Sequence, residues 1–455
     1  MEFVSVNPAT GEKIKEYPEA SENKIKRAID EAQQVGRAWR QLSFESRGEK
    51  LKRAAQILRS GIKEYALLMA REMGKPLKQG EAEIGKCAWG LEYYAQEAGQ
   101  FLRDEIVQTD AAKSYVHFEP LGVILSIMPW NFPFWQVFRG GAPGLMAGNA
   151  VLLKHAPNVT GCALAIQGVM EKAGFPPGLF RAVLIPLKKI PAVIADPGIA
   201  AVTLTGSPRA GKAVALEAAR VLKKTVLELG GSDPYVVLED ADLEKTVQTC
   251  VASRLINGGQ TCISAKRFIV VRSIRKKFEE RMVDLMGRQK MGDPTEEGTT
   301  LGPMARMDLR NSLHDQVVAS VRKGAQCLLG GEKPSREGSF YPPTVLSGVK
   351  RGMAAFDDET FGPVAAIVEA PGEREAVLMA NDTPYGLGAA IFTSDREKGE
   401  RIASRELEAG SCFVNSYVKS DPRLPFGGIK GSGYGRELGI YGIKEFTNIK
   451  TVSIA

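Results

Sequence analysis

The sequence predicts an α/β protein with two doubly wound, parallel sheets and a strand-forming arm beside them. Three observations carry this. Short apolar runs alternate with helical segments from Gly122 onward, and the alternation starts again after Gly230-Gly231. Two further strand-like stretches, Lys113 to Glu119 and the C-terminal tail, lie outside both sets. Strands separated by helices pair in parallel, because each helix carries the chain back along the sheet to start the next strand. Extended segments outside a sheet offer open backbone edges, which suits pairing with another subunit.

The elements follow in order. From Ser21 to about Phe101 apolar residues recur at three- and four-residue spacing, as at Leu51, Ala54, Ala55 and Leu58, which predicts long helices. Val123 to Met128, Ala150 to Leu153, Ala182 to Ile185 and Ala201 to Leu204 read as strands of the first sheet, with a helix over Cys162 to Ala173. The second set has strands near Tyr235 to Leu238, Phe268 to Val271, Cys327 to Leu329 and Phe413-Val414. The tail from Glu445 to Ile454 is strand-forming again.

A chain of 455 residues is long enough for two or three domains or lobes. Its 44% hydrophobic and 25% charged residues match a soluble globular protein, so disorder and fibrous repeats are excluded. The net charge of +7 is spread thinly. Basic clusters such as Lys24 to Arg27 and Arg275 to Lys277 are followed by acids at Asp30 and at Glu279, so nucleic acid is not an expected partner. The six cysteines include no CxxC pair, and His117, His155 and His314 form no ligand-spaced cluster with them. Reduced thiols, a cytoplasmic address and no metal are therefore expected. The start, Met1 to Pro8, has no basic stretch leading into an apolar core, and Leu121 to Trp135 is broken by Ser126, Pro129, Asn131 and Pro133. Neither a secretory signal nor a membrane span is expected.

The chemistry-bearing residues sit in glycine-rich surroundings. No GxGxxG fingerprint is present; the nearest substitute is Thr205 to Gly211, directly after a predicted strand. Its glycines allow a turn that opens a helix, whose N-terminus suits a pyrophosphate. Cys262 ends the run Asn257-Gly258-Gly259-Gln260-Thr261, where small residues can expose a thiol and bring backbone N–H groups to a bound carbonyl. Glu228 lies inside Leu227 to Gly231, and a carboxylate desolvated there has the raised pKa of a general base.

Pro129-Trp130-Asn131-Phe132-Pro133, Leu227 to Gly231, Gly259 to Cys262 and Glu359 to Val364 occur in that order. Together they resemble the aldehyde dehydrogenase superfamily, from Asn7-Pro8-Ala9-Thr10-Gly11 to Glu445-Phe446-Thr447-Asn448. The resemblance implies a dinucleotide-binding domain of residues 1–104, 123–229 and 431–442. It further implies a catalytic domain of residues 230–430 and an oligomerisation arm of residues 105–122 and 443–455. It makes both domains Rossmann-type, with the dinucleotide-binding sheet in an altered form, which accounts for the missing fingerprint. It also makes Cys262 the nucleophile, Asn131 with the Cys262 N–H the oxyanion hole, and Glu228 the base that activates water. Trp130, Lys154, Pro157, Gly206, Ser207, Gly211, Leu229, Glu359 and Phe361 become cofactor contacts, and the assembly a homodimer or homotetramer.

Two departures from the family pattern stand out. Pro157 takes the place of a Glu that strictly NAD-dependent members often carry, so NAD and NADP are both expected, NAD slightly favoured. Ser264 stands where some relatives have a second cysteine, so a switch by disulfide formation there is not expected.

Within the superfamily the chain is most similar to the succinate-semialdehyde dehydrogenases. Arg139 and Ser420 match their residues for the distal carboxylate, and a guanidinium presents a planar fork for that group. Another arginine of some relatives is Ile256 here, with Arg254 nearby but not equivalent. The expected reaction is NAD(P)-dependent oxidation of a small aldehyde acid. The alternatives are a broad aliphatic or hydroxy-aldehyde dehydrogenase, a CoA-acylating enzyme, which typically lacks the base, and a non-enzymatic binding protein.

Overall fold

The computed structural model describes residues 3–455. A two-stranded antiparallel pair, Val4–Val6 with Lys13–Glu16, comes first, followed by four helices: Glu22–Trp39, Phe44–Ser60, Ile62–Met73 and Leu77–Phe101. Ser21 and Ser43 start the first two, each accepting a backbone N–H three residues on, which satisfies a donor the helix leaves open. Among the described residues no helix is long and apolar enough to cross a membrane.

The first sheet has six strands in the spatial order Gly433–Tyr434, Lys224–Glu228, Ile199–Thr205, Val123–Met128, Ala150–His155 and Phe180–Ala182. All pair in parallel except the two-residue strand Gly433–Tyr434, which closes one edge antiparallel to Lys224–Glu228. The chain builds outward from Val123–Met128, then returns to lay Ile199–Thr205 on the other side of it. That reversal opens a crevice at the carboxyl ends of these two strands.

The second sheet has seven strands, in the order Gln326–Leu329, Thr344–Ser347, Val364–Ala370, Arg267–Val271, Pro234–Val237, Gly388–Phe392 and Ser411–Val414. Its core strands are parallel, and Gln326–Leu329 is an antiparallel edge. The strands at its centre are buried throughout, as a sheet covered on both faces requires. A third sheet is antiparallel and has three strands: Thr447–Ile454 pairs with Lys113–Pro120, which pairs with Glu105–Val107.

One predicted strand is misplaced. The expectation over Ala182 to Ile185 becomes Phe180–Ala182, because Leu184 turns its carbonyl to Ala20 N at 2.9 Å and leaves the sheet. Val364–Ala370 and Gly388–Phe392 have no counterpart among the predicted strands. Both are rich in alanine, which carries little strand preference of its own, and burial between helices makes them strands.

Candidate active site

The crevice collects the side chains that follow the strand ends. Trp130 and Asn131 come after Val123–Met128, Lys154 lies at the end of Ala150–His155, Gly206 and Ser207 follow Ile199–Thr205, and Glu228 ends Lys224–Glu228. Ser207 caps the helix Pro208–Arg220, its Oγ accepting from Ala210 N at 3.3 Å. The start of that helix is pressed onto the strand exit at Gly211, where a Cβ would lie 2.5 Å from Leu229 Cδ2. Pro157 opens a short 3₁₀ turn after Lys154. The neighbouring His155 is neutral: burial pulls its pKa down to about 4, and Nε2 meets the Pro133 carbonyl at 2.8 Å.

Glu359 and Phe361 come from the second sheet's side. The Phe361 ring meets Trp130 edge to face, with centroids 5.8 Å apart. Glu359 Oε1 accepts from Gly231 N at 3.1 Å and stands 3.6 Å from Lys266 Nζ. A helix N-terminus over a switch-point crevice, with a lysine and a carboxylate at its flanks, fits a dinucleotide. Amide N–H groups suit the pyrophosphate, and the two side chains suit ribose hydroxyls.

The Cys262 loop is locked before it reaches the strand Arg267–Val271. Asn257, Gly258 and Gly259 all have left-handed backbone, with φ of 54°, 62° and 74°. At Gly259 any side chain is excluded, since a Cβ would lie 2.2 Å from the Gly362 carbonyl oxygen. Buried Arg254 donates to the carbonyls of Ala265 and Gly259, so it buttresses the loop and does not face a ligand. Lys266, also buried, donates to the carbonyls of Thr261, Cys262 and Ser264. Burial pushes the Cys262 thiol up to about 12, against the pull of Arg139 and Lys266. All six cysteines are free.

Asn131 is held just as firmly. Its Nδ2 donates to the Gln260 carbonyl at 2.9 Å, so one amide N–H is used and the second is left for another acceptor. Its own carbonyl accepts from Lys75 Nζ at 2.9 Å and Asn257 Nδ2 at 2.7 Å. Lys75 is ion-paired to Glu83, both fully buried. Glu83 Oε1 also accepts from the backbone N–H of Phe134 and Trp135, capping the start of the helix Trp135–Met146. Sequence reading missed Lys75, Glu83, Glu437 and Lys266. The first three are far from the motif residues they serve. Lys266, four residues after the cysteine, was the one within reach of a local reading.

A cavity of about 810 Å³ has Cys262, Phe132, Arg139, Ser420 and Lys86 on its wall. Arg139 is buried and ion-paired with Glu437, and its Nη2 donates to Thr205 Oγ1 at 3.0 Å. Ser420 Oγ accepts from Lys86 Nζ at 2.8 Å and from Trp135 Nε1 at 3.1 Å. Glu228 does not line this cavity. It is 2% exposed, neither carboxylate oxygen has a hydrogen-bond partner, and burial pushes its pKa well above the usual carboxylate range.

A switch-point crevice in one sheet beside a glycine-locked cysteine loop from a second is an arrangement that suits an α/β oxidoreductase using a dinucleotide. Comparison with known proteins makes this specific. The chain belongs to the aldehyde dehydrogenase family, whose model matches residues 1–452. It is 47% identical over 455 residues to a probable succinate-semialdehyde dehydrogenase [NADP(+)] of Synechocystis, covering 100% of both chains. It is 48% identical over 449 residues to the succinate semialdehyde dehydrogenase [NAD(P)+] Sad of Escherichia coli, covering 99% of this chain and 97% of that one. The crystal structure of succinic semialdehyde dehydrogenase from Streptococcus pyogenes in complex with NADP+ superposes with a TM-score of 0.97 at 36% identity, covering 99% of each chain.

Proposed function

We propose that this enzyme oxidises succinic semialdehyde to succinate with NADP or NAD. The observation that carries this reading is one cavity with Cys262, Arg139 and Ser420 on its wall. The names of the relatives just described support it.

Cys262 releases its proton to solvent, and the thiolate Sγ attacks the aldehyde carbon, forming a C–S bond while the carbonyl electrons move to oxygen. The free Asn131 amide N–H and the Cys262 backbone N–H stabilise that oxyanion. Trp130, Lys154, Pro157, Gly206, Ser207, Gly211, Leu229, Glu359 and Phe361 hold the dinucleotide, which when bound supplies the hydride acceptor. Loss of hydride from the tetrahedral carbon leaves a thioester on Cys262. Glu228 then takes a proton from water, whose oxygen attacks the thioester; the C–S bond breaks, and the departing thiolate takes up the proton held by Glu228 as the acid forms. Arg139 and Ser420 orient the substrate's distal carboxylate.

The dinucleotide-binding domain comprises residues 1–104, 123–229 and 431–442, and the catalytic domain residues 230–430. The arm, residues 105–122 and 443–455, joins subunits into a homodimer or homotetramer. Exposed Ile106, Val107, Ile449 and Ile454 on its three-stranded sheet support this. The free cysteines suit a cytoplasmic address.

An aldehyde panel assayed through the absorbance of the reduced dinucleotide tests the reaction. The expected result is a specificity constant for succinic semialdehyde well above that for butanal, a neutral aldehyde of the same carbon count. Equal constants would overturn the substrate.

A further inference from the structure

We propose that Lys86, with Ser420, forms the anion seat that selects carboxylate-bearing aldehydes in this enzyme. The inference rests on the substrate reading above and adds a cation to it. Lys86 reaches the cavity wall from the helix Leu77–Phe101, while Arg139 comes from Trp135–Met146 and Ser420 from the segment after Ser411–Val414. The two cations differ in how they are compensated. Arg139 is ion-paired with buried Glu437. The carboxylates that act on Lys86 are already engaged: Glu83 pairs with Lys75, and Asp421 pairs with Arg423. The Lys86 ammonium instead rests 4.6 Å from the Trp135 ring centroid and donates one N–H to Ser420 Oγ.

Ser420 is thereby polarised toward an anion. A hydroxyl has two acceptor positions and one donor. Lys86 and Trp135 Nε1 fill both acceptor positions, at 2.8 and 3.1 Å. The remaining function of Ser420 is its O–H, which can serve only an acceptor. Lys86 keeps two further N–H donors. A cavity wall that presents an ammonium with no carboxylate ion-paired to it, beside a hydroxyl obliged to donate, suits a carboxylate and gives a neutral aldehyde tail nothing in return.

The groups facing Lys86 also make the seat pH-dependent. Burial, then repulsion by Arg139, lowers the Lys86 pKa to about 8, against weaker pulls from Cys87, Asp421 and Glu83. The seat is therefore cationic at neutral pH and discharges as pH rises through that value.

The test uses the full-length enzyme with saturating NADP and compares succinic semialdehyde with butanal. In K86M the ratio of the two specificity constants is expected to fall at least tenfold, mainly through a higher KM for the acid, and K86R should restore most of it. In the wild type the same ratio should decline between about pH 7 and pH 9.5, while in K86R it stays flat, because a guanidinium holds its proton there. A ratio in folded K86M within about twofold of the wild type would overturn the Lys86 assignment alone. Should K86M fail to fold, a wild-type ratio that does not change with pH would overturn it. A wild-type ratio near one at neutral pH would bring down the semialdehyde reading, and the Lys86 seat with it.

Discussion

Arg139 and Glu437 form an ion pair in the protein interior, 3% and 2% exposed, beside the cavity that holds Cys262. Thr203 Oγ1 adds a donor to Glu437 at 3.4 Å, and the Arg139 guanidinium lies over the Phe426 ring. The arginine that the sequence assigns to the substrate is thus also a structural cation, neutralising a carboxylate delivered from a distant part of the chain.

Removing Arg139 should therefore cost stability as well as specificity. Arg139→Ala strands the Glu437 charge, a loss of about 3–5 kcal/mol for a buried pair, while Arg139→Met with Glu437→Gln recovers much of it. Denaturant melts of the wild type and these two variants check this. In the same Arg139→Ala protein the specificity constant for succinic semialdehyde should drop at least tenfold relative to that for butanal. A parallel fall for both substrates would confine Arg139 to its structural part.

Cys262→Ala should lower aldehyde oxidation by roughly a thousandfold or more, as loss of a nucleophile does, while dinucleotide binding persists. Glu228→Gln should behave differently, giving a burst of reduced dinucleotide followed by slow turnover, since only thioester hydrolysis needs the base. Stopped-flow absorbance separates the two. A missing burst in Glu228→Gln would reassign Glu228 to thiol activation.

The pKa shifts fix the direction of the pH response. Burial raises Cys262, so its reactive thiolate grows with pH toward about 12, and inactivation of the free enzyme by iodoacetamide should accelerate continuously from pH 7 to about 10. Burial also raises Glu228, whose basic form exists above its pKa. Deacylation should thus decline on acidification at a pH higher than that at which an ordinary carboxylate titrates. Loss of activity following an unshifted carboxylate would contradict a buried base.

Pro157 supplies neither an acceptor for a ribose hydroxyl nor a charge to repel a phosphate, and His155 beside Lys154 is neutral. Both NAD and NADP should be turned over, with specificity constants within about a hundredfold, or roughly 2.7 kcal/mol. Steady-state kinetics with each dinucleotide decide this.

Deleting residues 447–454 removes one strand of the three-stranded arm and leaves Lys113–Pro120 with an open edge. Analytical ultracentrifugation should show a stable assembly for the full chain and a smaller species for the truncated one. An active full-length monomer would refute the assembly.

Local sequence was enough for what local physics controls. The repeating strand–helix texture sets two parallel sheets, since buried parallel strands read as unbroken apolar runs. The left-handed Asn257-Gly258-Gly259 turn marks the cysteine loop, since it needs residues that tolerate positive φ. Ser207 marks a helix start for a different local reason, since its hydroxyl accepts the open Ala210 N–H. Tertiary packing decided the rest. Lys75 and Glu83 clamp Asn131 only because the helix Leu77–Phe101 and the residues leading into it pack against the start of Trp135–Met146. Glu437 meets Arg139 only because the chain returns to the first sheet near its end. Lys86 becomes a cavity cation because the nearby carboxylates are claimed by other partners. Pairing of charges across long separations depends on which surfaces meet, and that is settled by how apolar faces pack, not by the residues that flank each charge.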